Sequence, residues 1–298
     1  MRRVQSSSRI LRRLAHSGYP QRVAIYEVGA RDGLQNEPTV LGPEERASFI
    51  NMLSVTGVAS VEAASFVNPK LVPQMAGGPD VMASIQRHEG VTYPVLVPNV
   101  RGYQDAIKAG STHFAVMCSG TETFAAKNVN QSLQQQVEGA AAIASEATRA
   151  GFAVRGYISC ALGCQFEGWV DPVKIAQLAQ ELDDAGCYEV VLSDTIGTGT
   201  AGDMHALLAA TLPLVPESRI AVHCHDTYGQ ALANILIALQ HGVQTIDSSV
   251  AGLGGCPFAG PGAAGNVATE DVLFMLHGLG VDTGVDFDRV VIAGMQQT

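Results

Sequence analysis

A single α/β domain built as a closed (β/α)8 barrel is the fold class that three features of the sequence predict. One pattern of strand, turn and helix recurs eight times from residue 21 onward, the strand-like runs are apolar, and no linker rich in Pro, Ser or Gly divides residues 21–298. Strands apolar on both faces need cover on both, which parallel strands alternating with helices provide. Eight units in about 280 residues suit the closed TIM-barrel arrangement better than an open doubly wound sheet.

The eight strand-like runs are residues 23–28, 60–66, 93–98, 113–118, 153–159, 189–193, 220–225 and 245–250. Helix-period stretches separate them. In residues 230–241, for example, Ala231, Leu232, Ile235, Leu236 and Leu239 form one apolar stripe. Gly57, Gly110, Gly151, Gly186 and Gly242 stand where such helices end. The first run leads into Glu27, Arg31 and Asp32, the second contains Glu62, Asn99 follows the third and Asp194 the sixth, and the seventh carries His223 and His225. In a barrel these strand ends converge on one mouth, where active sites are built.

The chain has 298 residues, 47% of them apolar and 15% charged, enough to bury a large core. Eighteen basic against 28 acidic residues leave a formal charge of −10 without a basic stripe, which argues against a nucleic-acid partner. No apolar run approaches the ~20 residues of a membrane span. The six cysteines, at 118, 160, 164, 187, 224 and 256, sit largely inside apolar runs and read as reduced thiols. Residues 1–20 differ from the rest: Arg2, Arg3, Arg9, Arg12 and Arg13 accompany four serines and no acid, the composition of a mitochondrial transit peptide or of a basic disordered tail.

The strongest local signal is His223-Cys-His225, because i and i+2 side chains of a strand share a face. Two imidazoles then face one divalent cation, and Asp32, at the end of the first strand, is the best-placed acid to join them. The second signal is the glycine-rich segment 251–266, a lid loop after strand 8 that carries Cys256, the one thiol outside a strand or helix pattern. A thiol on a closing lid is suited to deliver a proton. Asn266 reads as a metal ligand or as the cap of a helix starting near Val267, and Glu270 as a first-turn acid. The G-x-G-x-x-G run at 197–202 is a decoy: it falls in the sixth unit, and Asp194 before it would repel a pyrophosphate.

The segments EVGARDGLQN (27–36), SFVNPK (65–70), SCALG (159–163), SDTIG (193–197), HCHDTYGQALA (223–233) and GGCP (254–257) together closely resemble the 3-hydroxy-3-methylglutaryl-CoA lyase family. The resemblance runs from about residue 21 to the C-terminus. Its Arg-Asp-Gly and His-x-His elements also occur in condensing synthases and in carboxyltransferase domains, while the Gly-Gly-Cys-Pro loop is the lyase-specific part. The resemblance implies Mg2+ or Mn2+ held by Asp32, His223, His225 and Asn266. It also implies Arg31 and Gln35 on the substrate, Arg31, Asp32, Glu62, Asp194, His223, Cys256 and Glu270 as catalytic or supporting groups, and Glu27 behind the metal. The reaction implied is metal-assisted retro-Claisen cleavage of (S)-3-hydroxy-3-methylglutaryl-CoA to acetoacetate and acetyl-CoA, a step of leucine breakdown and ketone-body formation. A homodimer in the mitochondrial matrix, or a bacterial cytoplasmic enzyme, is implied too, as is a further helix beyond Thr298 that helps hold CoA.

Overall fold

The computed structural model describes residues 18–255 and 264–296. Its centre is one curled, wholly parallel sheet of β1 (Ala24–Glu27), β2 (Ser60–Val61), β3 (Ala64–Ser65), β4 (Val95–Leu96), β5 (His113–Ser119), β6 (Ala153–Ser159), β7 (Glu189–Asp194), β8 (Ile220–Cys224) and β9 (Thr245–Ser248). The order across it is β2-β1-β9-β8-β7-β6-β5-β4-β3. The eight expected runs thus become nine strands, because the second is divided. Across the division the Glu62 N–H donates to the Glu27 carbonyl, whereas the N–H groups of Val61 and Ala63 donate to Thr92 and Pro94. One short stretch therefore bonds to the β1 side and to the β4 side of the sheet.

Ten helices wrap the described part of the sheet: α1 (Pro43–Ser54), α2 (Gly78–Ser84), α3 (Val100–Lys108), α4 (Glu122–Val129), α5 (Leu133–Arg149), α6 (Pro172–Asp184), α7 (Ala201–Thr211), α8 (Ala231–Gln240), α9 (Thr269–Leu279) and α10 (Phe287–Met295). Their starts are written in the sequence. Asn99 accepts the Gly102 N–H, Asp171 accepts that of Val173, and Ser132 with Gln135 and Thr200 with Asp203 form reciprocal caps. Gly57, Gly110, Gly151, Gly186 and Gly242 all have the positive φ expected after a helix end. One expectation is corrected: α9 begins at Thr269 with Ala268 in the cap position, so Asn266 lies outside the helix and does not cap it. Among the described residues no helix is long and apolar enough to cross a membrane.

The main apolar core lies between sheet and helices, with Val23, Phe49, Leu53, Val190, Val222, Ile235 and Leu276 at or near zero exposure. A second, smaller cluster of Leu96, Ala115, Tyr157, Val191 and Ala221 occupies the inner face of the curl. Met117 packs against it.

Directly after β1 the chain makes a buried π-helical turn, Gly29–Gly33, which carries Arg31 and Asp32. Such turns recur at functional sites because the extra residue re-aims side chains. Glu27 braces it from behind. Its Oε1 accepts the N–H groups of Gly29 (2.8 Å) and Val250 (3.0 Å), and its Oε2 accepts the Thr269 hydroxyl (2.6 Å), so one buried carboxylate ties β1, the turn after β9 and the start of α9. Gly33 leaves room for that turn. A Cβ there would stand 2.9 Å from Ser249 Oγ and 3.0 Å from Leu253 Cβ.

Two predictions follow from this bracing. Gly33→Ala should destabilise the protein by about 1–3 kcal/mol, the usual cost of overpacking, read as a lowered urea midpoint; an unchanged midpoint would show that the turn yields freely. Burial raises the Glu27 carboxyl from 4.5 to about 7, against hydrogen bonds from Thr269, Val250 and Gly29 that favour its ionised form. A carboxyl whose pKa rises on folding contributes fully below about pH 4.5, and that contribution is lost as pH rises through about 7. Stability should therefore fall by about 2–3 kcal/mol across that window on this group's account. Glu27→Gln keeps the shape of the brace and should flatten this part of the profile; equal slopes in the two proteins between pH 4.5 and 8 would refute it.

Candidate active site

The side chains at the strand ends converge as expected. Asp32, half-buried on the turn after β1, faces His223 on β8 and His225 just beyond it, and one ligand atom of each lies within 4.8 Å of the other two. The alternation of β8 turns both imidazoles to one side, with ring centroids 5.1 Å apart. Asn266 reaches the same place from the far side of the glycine-rich segment. It pairs with His225 in an isolated antiparallel bridge, and its Nδ2 donates to Asp32 Oδ2 (2.9 Å) and to the Leu253 carbonyl (3.1 Å).

Arg31 is held from two sides. Its Nε donates to Glu62 Oε1 at 2.5 Å and one terminal nitrogen to Asp32 Oδ1 at 2.6 Å, which pins two of its three nitrogens. Burial alone would raise the Asp32 pKa, but Arg31 first, and then His223, His225 and Asn266, hold it well below the usual carboxylate range. Burial would lower His223; hydrogen bonding to Asp247 and the charge of Asp32 raise it instead. Burial and the neighbouring His223 push His225 down to about 4, so its ring is neutral near pH 7.

A divalent cation fits these residues. His225 Nδ1 is buried with no hydrogen-bond partner, an unsatisfied polar atom beside a carboxylate held ionised. Four buried or half-buried carboxylates, Asp32, Glu62, Asp247 and Glu189, face the two guanidiniums of Arg31 and Arg155 and the imidazole of His223. With that imidazole neutral, the centre is short of positive charge. Neutral imidazole and ionised carboxylate are the forms in which these groups bind metal.

The other expected residues divide by what they touch. Asp194 ends β7, and its two oxygens accept the N–H groups of Thr198 (3.2 Å) and Gly199 (3.0 Å). Burial raises it to about 6 despite those bonds. It thus shapes the turn that spells the glycine motif and uses up the N–H groups a pyrophosphate would need. Both Glu270 oxygens accept the Ala251 N–H (3.1 and 2.9 Å), which secures the first residue of the glycine-rich segment at φ +54. Gln35 is half-buried one turn beyond Asp32. Cys256 and half of the glycine-rich segment, residues 256–263, lie outside the described residues. Gly255, its neighbour, is held by the Asn36 amide (3.1 Å), and the Gly254 N–H donates to Glu37 (3.3 Å), so the described start of the segment lies beside the residues that follow the Arg31–Asp32 turn.

Sequence reasoning missed Arg155, Tyr157, Glu189 and Asp247, which join the site from below. Asp247 Oδ2 lies 3.3 Å from His223 Nδ1 and accepts from Arg155, which also bonds Glu189 and the Tyr157 hydroxyl; that hydroxyl in turn donates to Glu62 (2.7 Å). The signal was present in part: Arg155 and Asp247 interrupt runs that otherwise read as buried strands, and Glu189 opens one.

Comparison with known proteins identifies what the chain resembles. Residues 22–295 match the family model described as HMGL-like. The chain is 54% identical over 275 residues to the cytoplasmic 3-hydroxy-3-methylglutaryl-CoA lyase of Danio rerio, covering 92% of this chain and 82% of that one. It is 51% identical to the mitochondrial hydroxymethylglutaryl-CoA lyase of Rattus norvegicus, covering 92% and 84%. The crystal structure of hydroxymethylglutaryl-CoA lyase from Pseudomonas aeruginosa superposes with a TM-score of 0.91 at 48% identity, covering 94% of this chain and 93% of that one. With its matched length, its sheet and its Asp-His-His cluster, this chain belongs to the HMGL-like family.

Proposed function

We propose that the protein cleaves (S)-3-hydroxy-3-methylglutaryl-CoA to acetoacetate and acetyl-CoA. The observation that carries this reading is the Asp32, His223 and His225 cluster beside the pinned Arg31 guanidinium, in a chain about half identical to named lyases. The curled sheet is read as a closed (β/α)8 barrel whose glycine-rich segment is a lid. Asp32, His223, His225 and Asn266 would hold Mg2+ or Mn2+, Asn266 through its amide oxygen, and the cation would supply the positive charge that lowers the pKa of the substrate's tertiary hydroxyl.

The chain's own residues do the rest. Asp32 or His223 takes the hydroxyl proton; the C–O bond becomes the ketone of acetoacetate as the carbon–carbon bond breaks, and the electron pair passes to the acetyl-CoA enolate. Arg31 stabilises the enolate oxygen. Its two carboxylate contacts fix the guanidinium before substrate arrives, so no reorganisation is needed when charge develops. Gln35 supports the substrate, and Glu62, Asp194 and Glu270 act through the groups they hold. Cys256, delivered by lid closure, protonates the enolate carbon. The acid-free, arginine-rich first 20 residues support a mitochondrial address, and a homodimer is the assembly proposed.

Metal-stripped protein should release no acetoacetate from the acyl-CoA and should regain release when Mg2+ or Mn2+ is restored under reducing conditions. Failure with both cations, or condensation of acetyl-CoA with a 2-oxo acid instead, would overturn the lyase reading. Cys256→Ser should lose about 10²–10⁴ of kcat, the usual worth of a positioned proton donor, with cation affinity retained. Near-normal turnover would remove the thiol from the mechanism.

A further inference from the structure

Below the metal-ligand cluster lies a buried circuit that the reaction as proposed does not use. Arg155 is fully buried and grips Asp247 with both terminal nitrogens, at 3.0 Å to Oδ2 and 2.6 Å to Oδ1. Its Nε donates to Glu189 (2.7 Å), and it also donates to the Tyr157 hydroxyl (2.9 Å). Asp247 Oδ2, already accepting from Arg155, meets His223 Nδ1 at 3.3 Å. His223 and Asp247 are register partners on β8 and β9, so the sheet itself sets their approach.

A carboxylate bound by a guanidinium is an acceptor only, so the His223 Nδ1 beside it must carry hydrogen. That leaves the lone pair on Nε2, which lies 4.0 Å from Asp32 Oδ2. The His225 ring meets the Thr195 backbone instead and has no carboxylate at its Nδ1. The two histidines are therefore not equivalent. From the same guanidinium a second arm runs through the Tyr157 hydroxyl to Glu62 and so to Arg31.

We propose that Asp247, fixed by Arg155, is the positioning residue of the metal centre: it locks His223 in the tautomer protonated at Nδ1 and aims Nε2 at the cation beside Asp32, so that of the two candidate bases Asp32 is the one left to take the hydroxyl proton. The Tyr157 arm positions Arg31 and not the cation. The proposal rests on the metal-centre reading above, and a carboxylate behind a ligating imidazole is known to tune metal affinity.

The test is calorimetric titration of metal-stripped full-length protein with Mn2+. Asp247→Asn, the same size but with donors facing Arg155, should raise the Mn2+ dissociation constant about 10- to 100-fold. Tyr157→Phe, which cuts only the other arm, should leave it unchanged although both variants disturb the same buried circuit. Equal affinity in Asp247→Asn and wild type, or an equal loss in both variants, would overturn the proposal. Independently of any variant, ¹⁵N-histidine NMR of the Mg2+-loaded wild type should show His223 protonated at Nδ1; a proton on Nε2 would overturn it. A wild type that binds neither cation would refute the metal-centre reading itself, an outcome separable from a wild type that binds while Asp247→Asn binds equally well.

Discussion

Burying the Arg155 guanidinium inside the curl of the sheet is the constraint on which the rest of the interior depends. A charge taken fully out of water is tolerated only when paired and hydrogen-bonded on all sides. Arg155 obtains this from Asp247, Glu189 and Tyr157, with its guanidinium carbon 3.8 Å from the centre of the Tyr26 ring. Those partners come from β1, β6, β7 and β9, so the strands must sit in one register for the charge to be satisfied. From there the pairing spreads upward: Tyr157 to Glu62, Glu62 to Arg31, Arg31 to Asp32, and on the other side Asp247 to His223. The polar interior is one connected object. Its upper edge, where Asp32, His223 and His225 meet, is the place where the charges do not balance.

That imbalance explains how structure and chemistry share residues. An apolar interior of the same volume would fold with less penalty, since buried ion pairs repay little of their desolvation cost. What the circuit secures is geometry: ligand and guanidinium are both clamped before anything binds. The contrast with Arg46 is instructive. It too is fully buried, but its guanidinium donates to the carbonyls of Gln74 and Ala76, meets no carboxylate among the described residues and falls to about 10 under burial. Arg46 holds a loop, whereas Arg155 holds a site.

The recurring strand and helix pattern, the helix ends at glycine and the face shared by His223 and His225 were all legible, because each depends on short-range periodicity or on a local backbone preference. The division of the second run was not. Residues 60–66 look like one strand; they are interrupted because a stretch hydrogen-bonded to both the β1 and β4 sides changes partners midway, a demand that comes from curling the sheet. Asn266 illustrates the same limit, since capping and ligation require the same residue type and only the start of α9 at Thr269 removed the capping reading. Glu270 was legible as an acid of the first turn but not as the partner of the Ala251 N–H, which belongs to a different turn of the chain.

By itself, then, the sequence determined the fold class, the family and the residue types at the strand ends, all properties of local pattern and motif. Which acids and bases become partners was decided only by the tertiary structure. Asp247 and His223 are 24 residues apart and Arg155 and Asp247 are 92 apart, and the pairing of either depends on strand register and on which face each residue presents. The physical reason is that charge pairing acts over a few ångströms of space, while sequence pattern records only neighbours along the chain.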